Sequence, residues 1–247
     1  MHHFGIFVTY VLALWVFSGT CVAESADYAR EQRWAEEITP GVIVGEMVYL
    51  TQKNGHKFLS LYAPAAGAKT AVVVVHGMGL HPDWDMIGTL RQRLVVDGFS
   101  TLSVQMPVRA ADAKPEEYSE LFSEAVERLQ RAVAYLRAQS YTRVAIVSHS
   151  LGSRMSRVYM ATQPPDVDSW VAISLTRGDI YAGIAVPVLD LYGERDLDHV
   201  LNAAASRKAS FQHSSSRQQV VPNADHFFVS QERVMIDAVR DFLREKR

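Results

Sequence analysis

The chain holds one cysteine, Cys21, and it lies in the N-terminal segment. The rest of the sequence can therefore form no disulfide, no thiolate nucleophile and no cysteine-based zinc site. No H-E-x-x-H occurs and no tight carboxylate cluster, so the residues offer no metal site and no metal is expected. Gly77 and Gly79 of "HGMG" complete neither a dinucleotide-binding glycine pattern nor a phosphate loop, so no nucleotide cofactor is expected either. Charge of one sign is also lacking. Lys and Arg number 25 against 27 Asp and Glu, a formal net charge of −2, and no basic run or stripe stands out. Nucleic acid is thereby a poor partner, and a small-molecule or acylated substrate a better one.

Long apolar runs are nearly absent. The one candidate, "FGIFVTYVLALWVF" at 4–17, is short for a membrane span, and no stable insertion of the mature domain is expected. It reads instead as the core of an export signal. Small residues follow it, with Cys21 and Ala23 in the −3 and −1 places, so residues 1–23 are expected to be cleaved before Glu24 and the domain to be periplasmic. The competing reading is an uncleaved anchor in the inner membrane, since the segment before the run has His2 and His3 but no Lys or Arg. Residues 24–40 form a polar, helical lead-in ending at Pro40.

What is abundant is core-forming sequence: 48% of residues are apolar and 21% charged, enough for one well-packed domain over 41–247. Asn54-Gly55 between strand-like stretches 42–50 and 56–64 predicts a hairpin. The run "AVVVV" at 71–75 predicts a strand covered on both faces. Helical spacing over 84–97 and 116–139 alternates with strand signals at 99–107, 144–147, 169–175, 186–193 and 217–222, and an amphipathic helix closes the chain at 229–243. The pattern predicts an α/β domain with a doubly wound, mostly parallel sheet of about eight strands behind an N-terminal hairpin.

Ligands of such sheets sit beyond the carboxyl ends of the strands. Three of those ends supply complementary chemistry. Ser150, in "VSHSLG", could be a nucleophile. His226, in "NADHFF", could be its base. Asp196, in "YGERD", could orient that base, with Asp179 and Asp198 as alternatives. The backbone N–H groups of Met78 and Leu151 could receive an oxyanion. The blander readings make Ser150 a helix cap and His226 an ordinary core or surface histidine. His76 and His149 read as structural residues, and His81 as a loop residue that shapes the site. The stretch between Leu175 and Val186 is too short for a multi-helix lid, which predicts an open cleft with Gly77, Gly79, Trp84, Met106 and Ile180 contacting substrate.

The stretches "VVVVHGMG", "VSHSLG", "LYGERD" and "NADHFF" resemble the α/β-hydrolase superfamily over about residues 42–243, and "HGMGLHPDW" with "LSVQMP" resembles a group of exported hydrolase-like proteins of Gram-negative bacteria. The resemblance implies an α/β-hydrolase fold and a serine hydrolase acting on a carboxylic ester through Ser150, His226 and Asp196. An acyltransferase or thioesterase with the same residues, or a non-catalytic envelope binding protein on the same fold, are the alternatives. The sequence departs from the usual G-x-S-x-G turn: Ser148 stands in the first glycine's place.

Overall fold

The computed structural model describes residues 1–2, 26–162, 166–176 and 179–245. The expected signal segment therefore lies almost wholly outside the described residues.

Eight strands form one sheet in the order β1-β2-β4-β3-β5-β6-β7-β8. β1 (Glu46–Thr51) and β2 (Lys57–Ala63) make the expected hairpin, with Gly55 at φ +86° in the loop. β2 runs antiparallel to β4 (Ser100–Val104). From β4 onward the sheet is parallel, through β3 (Thr70–Val75), β5 (Arg143–His149), β6 (Ser169–Ile173), β7 (Val188–Gly193) and β8 (Arg217–Val221). The valine run explains itself. Ala71, Val73 and Val75 enter one core layer, Val72 and Val74 the other, and all are fully buried. The first layer lies under α3 (Phe122–Ala138) and α4 (Leu151–Thr162), the second under α2 (Asp85–Val96) and α6 (Glu232–Arg244).

The lead-in is a docked helix, α1 (Tyr28–Ile38), capped by Asp27, whose carboxylate accepts from Arg30 N–H at 2.9 Å. Glu31 is buried beneath it and pairs with Arg128 at 2.9 Å and His56 at 3.2 Å. Asp27 N–H and Arg30 Nη1 donate to the carbonyls of Val108 and Arg109, which ties α1 to the loop after β4, on the side where the parallel strands end.

Two expectations change. The helix expected from Glu116 begins as a 3-10 turn over Glu117–Leu121, and α3 proper starts at Phe122. A further helix, α5 (Asp198–Ala209), follows β7 where no element was expected. It buries only Val200 and Arg207, so it has no apolar stripe to read. The β6–β7 connection contains no helix among its described residues.

Candidate active site

Ser150 occupies the single position between β5 and α4, with φ +55°. A non-glycine residue reaches this left-handed region only at a cost, and the surroundings hold it there. Its N–H donates to the Ile173 carbonyl at 2.9 Å. Gly152 lets α4 lie against β3: a Cβ there would stand 2.3 Å from the His76 carbonyl oxygen and 2.9 Å from Val75 Cγ1. A Cβ at Gly77 would come within 3.3 Å of Ser150 Cβ, so the "HGMG" turn runs directly beside the serine. The N–H groups of Met78 and Leu151 flank that place and have no acceptor among the described residues.

The other two side chains come from the loops after β7 and β8. Gly193 is where those loops meet. A Cβ there would be 2.4 Å from the Ala224 carbonyl oxygen and 2.7 Å from that of Asp225. His226 Nδ1 lies 2.6 Å from Asp196 Oδ1, and its Nε2 lies 2.9 Å from Ser150 Oγ. Ser174 Oγ donates to Asp196 Oδ2 at 2.5 Å, and Leu197 N–H donates to Oδ1 at 2.8 Å. Burial opposes ionisation of Asp196, but the bonds from His226 and Ser174 outweigh it and hold the carboxyl below its ordinary value. With Asp196 ionised and accepting only, neutral His226 carries its proton on Nδ1. Nε2 then presents a lone pair to the serine hydroxyl. Among the described residues, Asp179 pairs with Arg154 at 2.8 Å and Asp198 is exposed in the first turn of α5, so neither alternative acid meets the imidazole.

Two further histidines brace the frame. His76 Nδ1 donates to the Gly77 carbonyl at 2.8 Å, and its Nε2 accepts from Met106 N–H at 2.9 Å. His149 Nε2 donates to the His226 carbonyl at 2.9 Å. Burial pushes both down to about 3 from an ordinary 6.5, so both are neutral in the folded protein. The unfolded chain takes up these protons as the pH falls below about 6.5, and the folded chain does not until about 3. The histidine contribution is thus complete above pH 6.5 and shrinks on acidification, by roughly 2–3 kcal/mol per histidine between pH 6.5 and 4.5. Depression of Asp196 acts in the same direction below the carboxylate range. The urea midpoint is expected to be lower at pH 4.5 than at pH 7.5, and His149→Gln to flatten that dependence.

Ser148 fills the space that the usual glycine leaves open. Its hydroxyl is buried, accepts from Trp170 Nε1 at 2.8 Å, and lies 3.2 Å from Ser153 Oγ and 3.3 Å from the Val171 carbonyl. The departure is thus built into a satisfied polar cluster. Ser148→Gly is expected to destabilise the fold by about 1–3 kcal/mol by orphaning the indole N–H, read from denaturant midpoints.

A cleft of about 310 Å³ opens on Ser150 and His226. Of the residues named from the sequence, Gly77, Met78 and Leu151 line it, together with Leu80, Pro115, Arg154, Thr176, Leu197, His199 and Phe227. Four expected contacts do not. Met106 is sealed in the core, because the chain turns inward just past β4. Trp84 sits one side chain away, with its ring 5.4 Å from that of Phe227. Gly79 faces Arg30 Nη2 of α1, and the Ile180 carbonyl is engaged by Arg157 at 2.9 Å. Ser174, Arg154 and Phe227 join the site without a local sequence signal. Ser174 lay inside an expected strand, and Arg154 among the apolar residues of α4.

Comparisons with known proteins agree with the architecture. A profile for the family "Protein of unknown function (DUF3530)" matches residues 44–125. No curated protein sequence matches the chain. Dienelactone hydrolase from Anabaena variabilis superposes with a TM-score of 0.69 at 19% identity, covering 82% of this chain and 98% of its own. An α/β serine hydrolase without a lid from Xanthomonas campestris gives 0.66 at 15% identity, covering 82% and 95%. Est1E from Butyrivibrio proteoclasticus gives 0.64 at 14% identity, covering 80% and 97%. At these identities the likeness speaks for the fold, and the fold of this chain is that of the α/β hydrolases.

Proposed function

We propose that the protein is a serine hydrolase that cleaves carboxylic esters through an acyl-enzyme. The observation that carries this reading is the unbroken relay from Asp196 through His226 to Ser150, with spacings of 2.6 and 2.9 Å. Ser150 Oγ attacks the ester carbonyl while His226 Nε2 takes the hydroxyl proton. Asp196 stays ionised, fixes the imidazole and stabilises the imidazolium that forms. The carbonyl oxygen, now an oxyanion, is received by the N–H groups of Met78 and Leu151, which no acceptor among the described residues occupies. His226 returns the proton to the leaving alcohol, and the acyl group remains on Ser150. Water then attacks with the same histidine as base, releasing the carboxylic acid and restoring the serine.

The cleft supports an ester of modest size. Met78, Leu197 and Phe227 are exposed at 40%, 44% and 40% around it, offering apolar contact to an acyl or alcohol group. The short β6–β7 connection supports an uncovered site. The test is hydrolysis of 4-nitrophenyl esters of increasing chain length, with Ser150→Ala alongside. Turnover by the native protein that vanishes in the variant is expected, favouring short acyl chains. Equal rates in both proteins would refute the reading. Product appearing on an added alcohol in preference to water would turn it toward acyl transfer.

A further inference from the structure

Among the described residues lining the cleft there is no carboxylate and one guanidinium, that of Arg154. Arg154 stands one helical turn beyond the nucleophile candidate, its N–H donating to the Ser150 carbonyl at 3.3 Å. Its side chain is only 18% exposed. Asp179 Oδ2 accepts from Nε at 2.8 Å, and the guanidinium carbon lies 5.3 Å from the Phe122 ring centroid. The group is thus held from one edge and one face. Its Nη1 and Nη2 donate to no acceptor among the described residues, although most of the other lining side chains are apolar.

A fork of N–H donors, fixed in place and left open in a mostly apolar cleft, matches a carboxylate. Resting on the hydrolase reading above, we propose that the substrate is an ester carrying a second, anionic group, a carboxylate, which Arg154 receives while Ser150 attacks the ester carbonyl. A neutral ester of the same shape would strip water from those donors and give nothing back, so the same feature selects against it. Asp179 partly compensates the guanidinium charge, so recognition rests on paired, charge-assisted hydrogen bonds. One fork suits one singly charged carboxylate.

The test compares two esters that differ at one end, 4-nitrophenyl hydrogen glutarate and 4-nitrophenyl valerate. The native protein is expected to show a kcat/KM at least ten-fold higher for the acidic ester. Arg154→Gln should lower that ratio about ten- to a hundred-fold, and Arg154→Lys should recover only part of it. A ratio near or below one in the native protein, or an unchanged ratio in Arg154→Gln, overturns the proposal. Calorimetric titration of Ser150→Ala with the same two esters separates this inference from the hydrolase reading. Tighter binding of the acidic ester without turnover by the native protein would uphold Arg154 and refute the hydrolase. Turnover of both esters without preference would do the reverse, and neither turnover nor preferential binding would remove both.

Discussion

Ester hydrolysis by the His226→Ala variant is expected to fall by about three orders of magnitude or more in kcat/KM. The imidazole is the one base in hydrogen-bond reach of Ser150 Oγ among the described residues, at 2.9 Å. A serine hydroxyl without a base is a weak nucleophile at neutral pH. Asp196→Asn should cost about 10³–10⁴-fold for a different reason. An amide at 196 can turn its NH₂ toward Nδ1, and the proton then moves to Nε2, where the ring can no longer accept from the serine. The two losses should not multiply in the double variant, because both remove one relay. Stopped assays with a 4-nitrophenyl ester check this, with denaturant midpoints confirming that both variants fold. A rate within ten-fold of the native one in His226→Ala would count heavily against the relay.

The largest stability effect is expected at Asp190→Ala, about 3–5 kcal/mol. Asp190 on β7 and Arg207 on α5 are both fully buried. Arg207 Nε lies 2.9 and 3.1 Å from the two carboxylate oxygens. Tyr181 and Gln218 also donate to that carboxylate, at 2.8 and 2.7 Å. Burial and then the adjacent carboxylate push the Tyr181 hydroxyl well above its ordinary value, so it stays a donor. Without Asp190 the guanidinium remains buried and uncompensated, the Tyr181 hydroxyl loses its acceptor and Gln218 Nε2 loses one of two. For a chain of 247 residues this corresponds to roughly 6–20 °C in the melting temperature. Activity should fall as well, since Arg207 ties α5 to β7 through Asp190 and to the Leu175 carbonyl, next to Ser174, whose hydroxyl holds Asp196. A melting temperature within 2 °C of the native one would show that the pair is dispensable.

The sheet was legible because its signals are physical. Ala71 and the valines at 72–75 are apolar on alternating faces, and only a strand covered on both sides uses them all. The rule that ligands gather beyond the carboxyl ends of parallel strands then picked out the loops holding Ser150, Asp196 and His226. The structure brings those three side chains into one hydrogen-bonded chain. What escaped has equally concrete causes. α5 carries alanines where a stripe would be, and its one large buried side chain is a charged one, Arg207. Ser174 looks like a strand residue, yet β6 ends at Ile173 and Ser174 turns to φ +52°, aiming its hydroxyl at Asp196. Met106 and Trp84 sit near strand and helix ends in the sequence, but the direction of a side chain leaving such an end is set by packing that no local pattern records. Arg154 is polar on a helix otherwise read for its buried face, and its place became visible only once α4 was docked beside the cleft.

Activation of the alcohol at 150 by its neighbours is the centre of the proposed chemistry. Reaction of the folded protein with a fluorophosphonate, followed by intact-mass analysis and peptide mapping, measures that activation without knowledge of the substrate. One adduct is expected, on Ser150, formed at a rate that drops at least a hundred-fold in His226→Ala and disappears in Ser150→Ala. Labelling that persists unchanged in Ser150→Ala, or no labelling of the native protein under conditions that label other serine hydrolases, would contradict it.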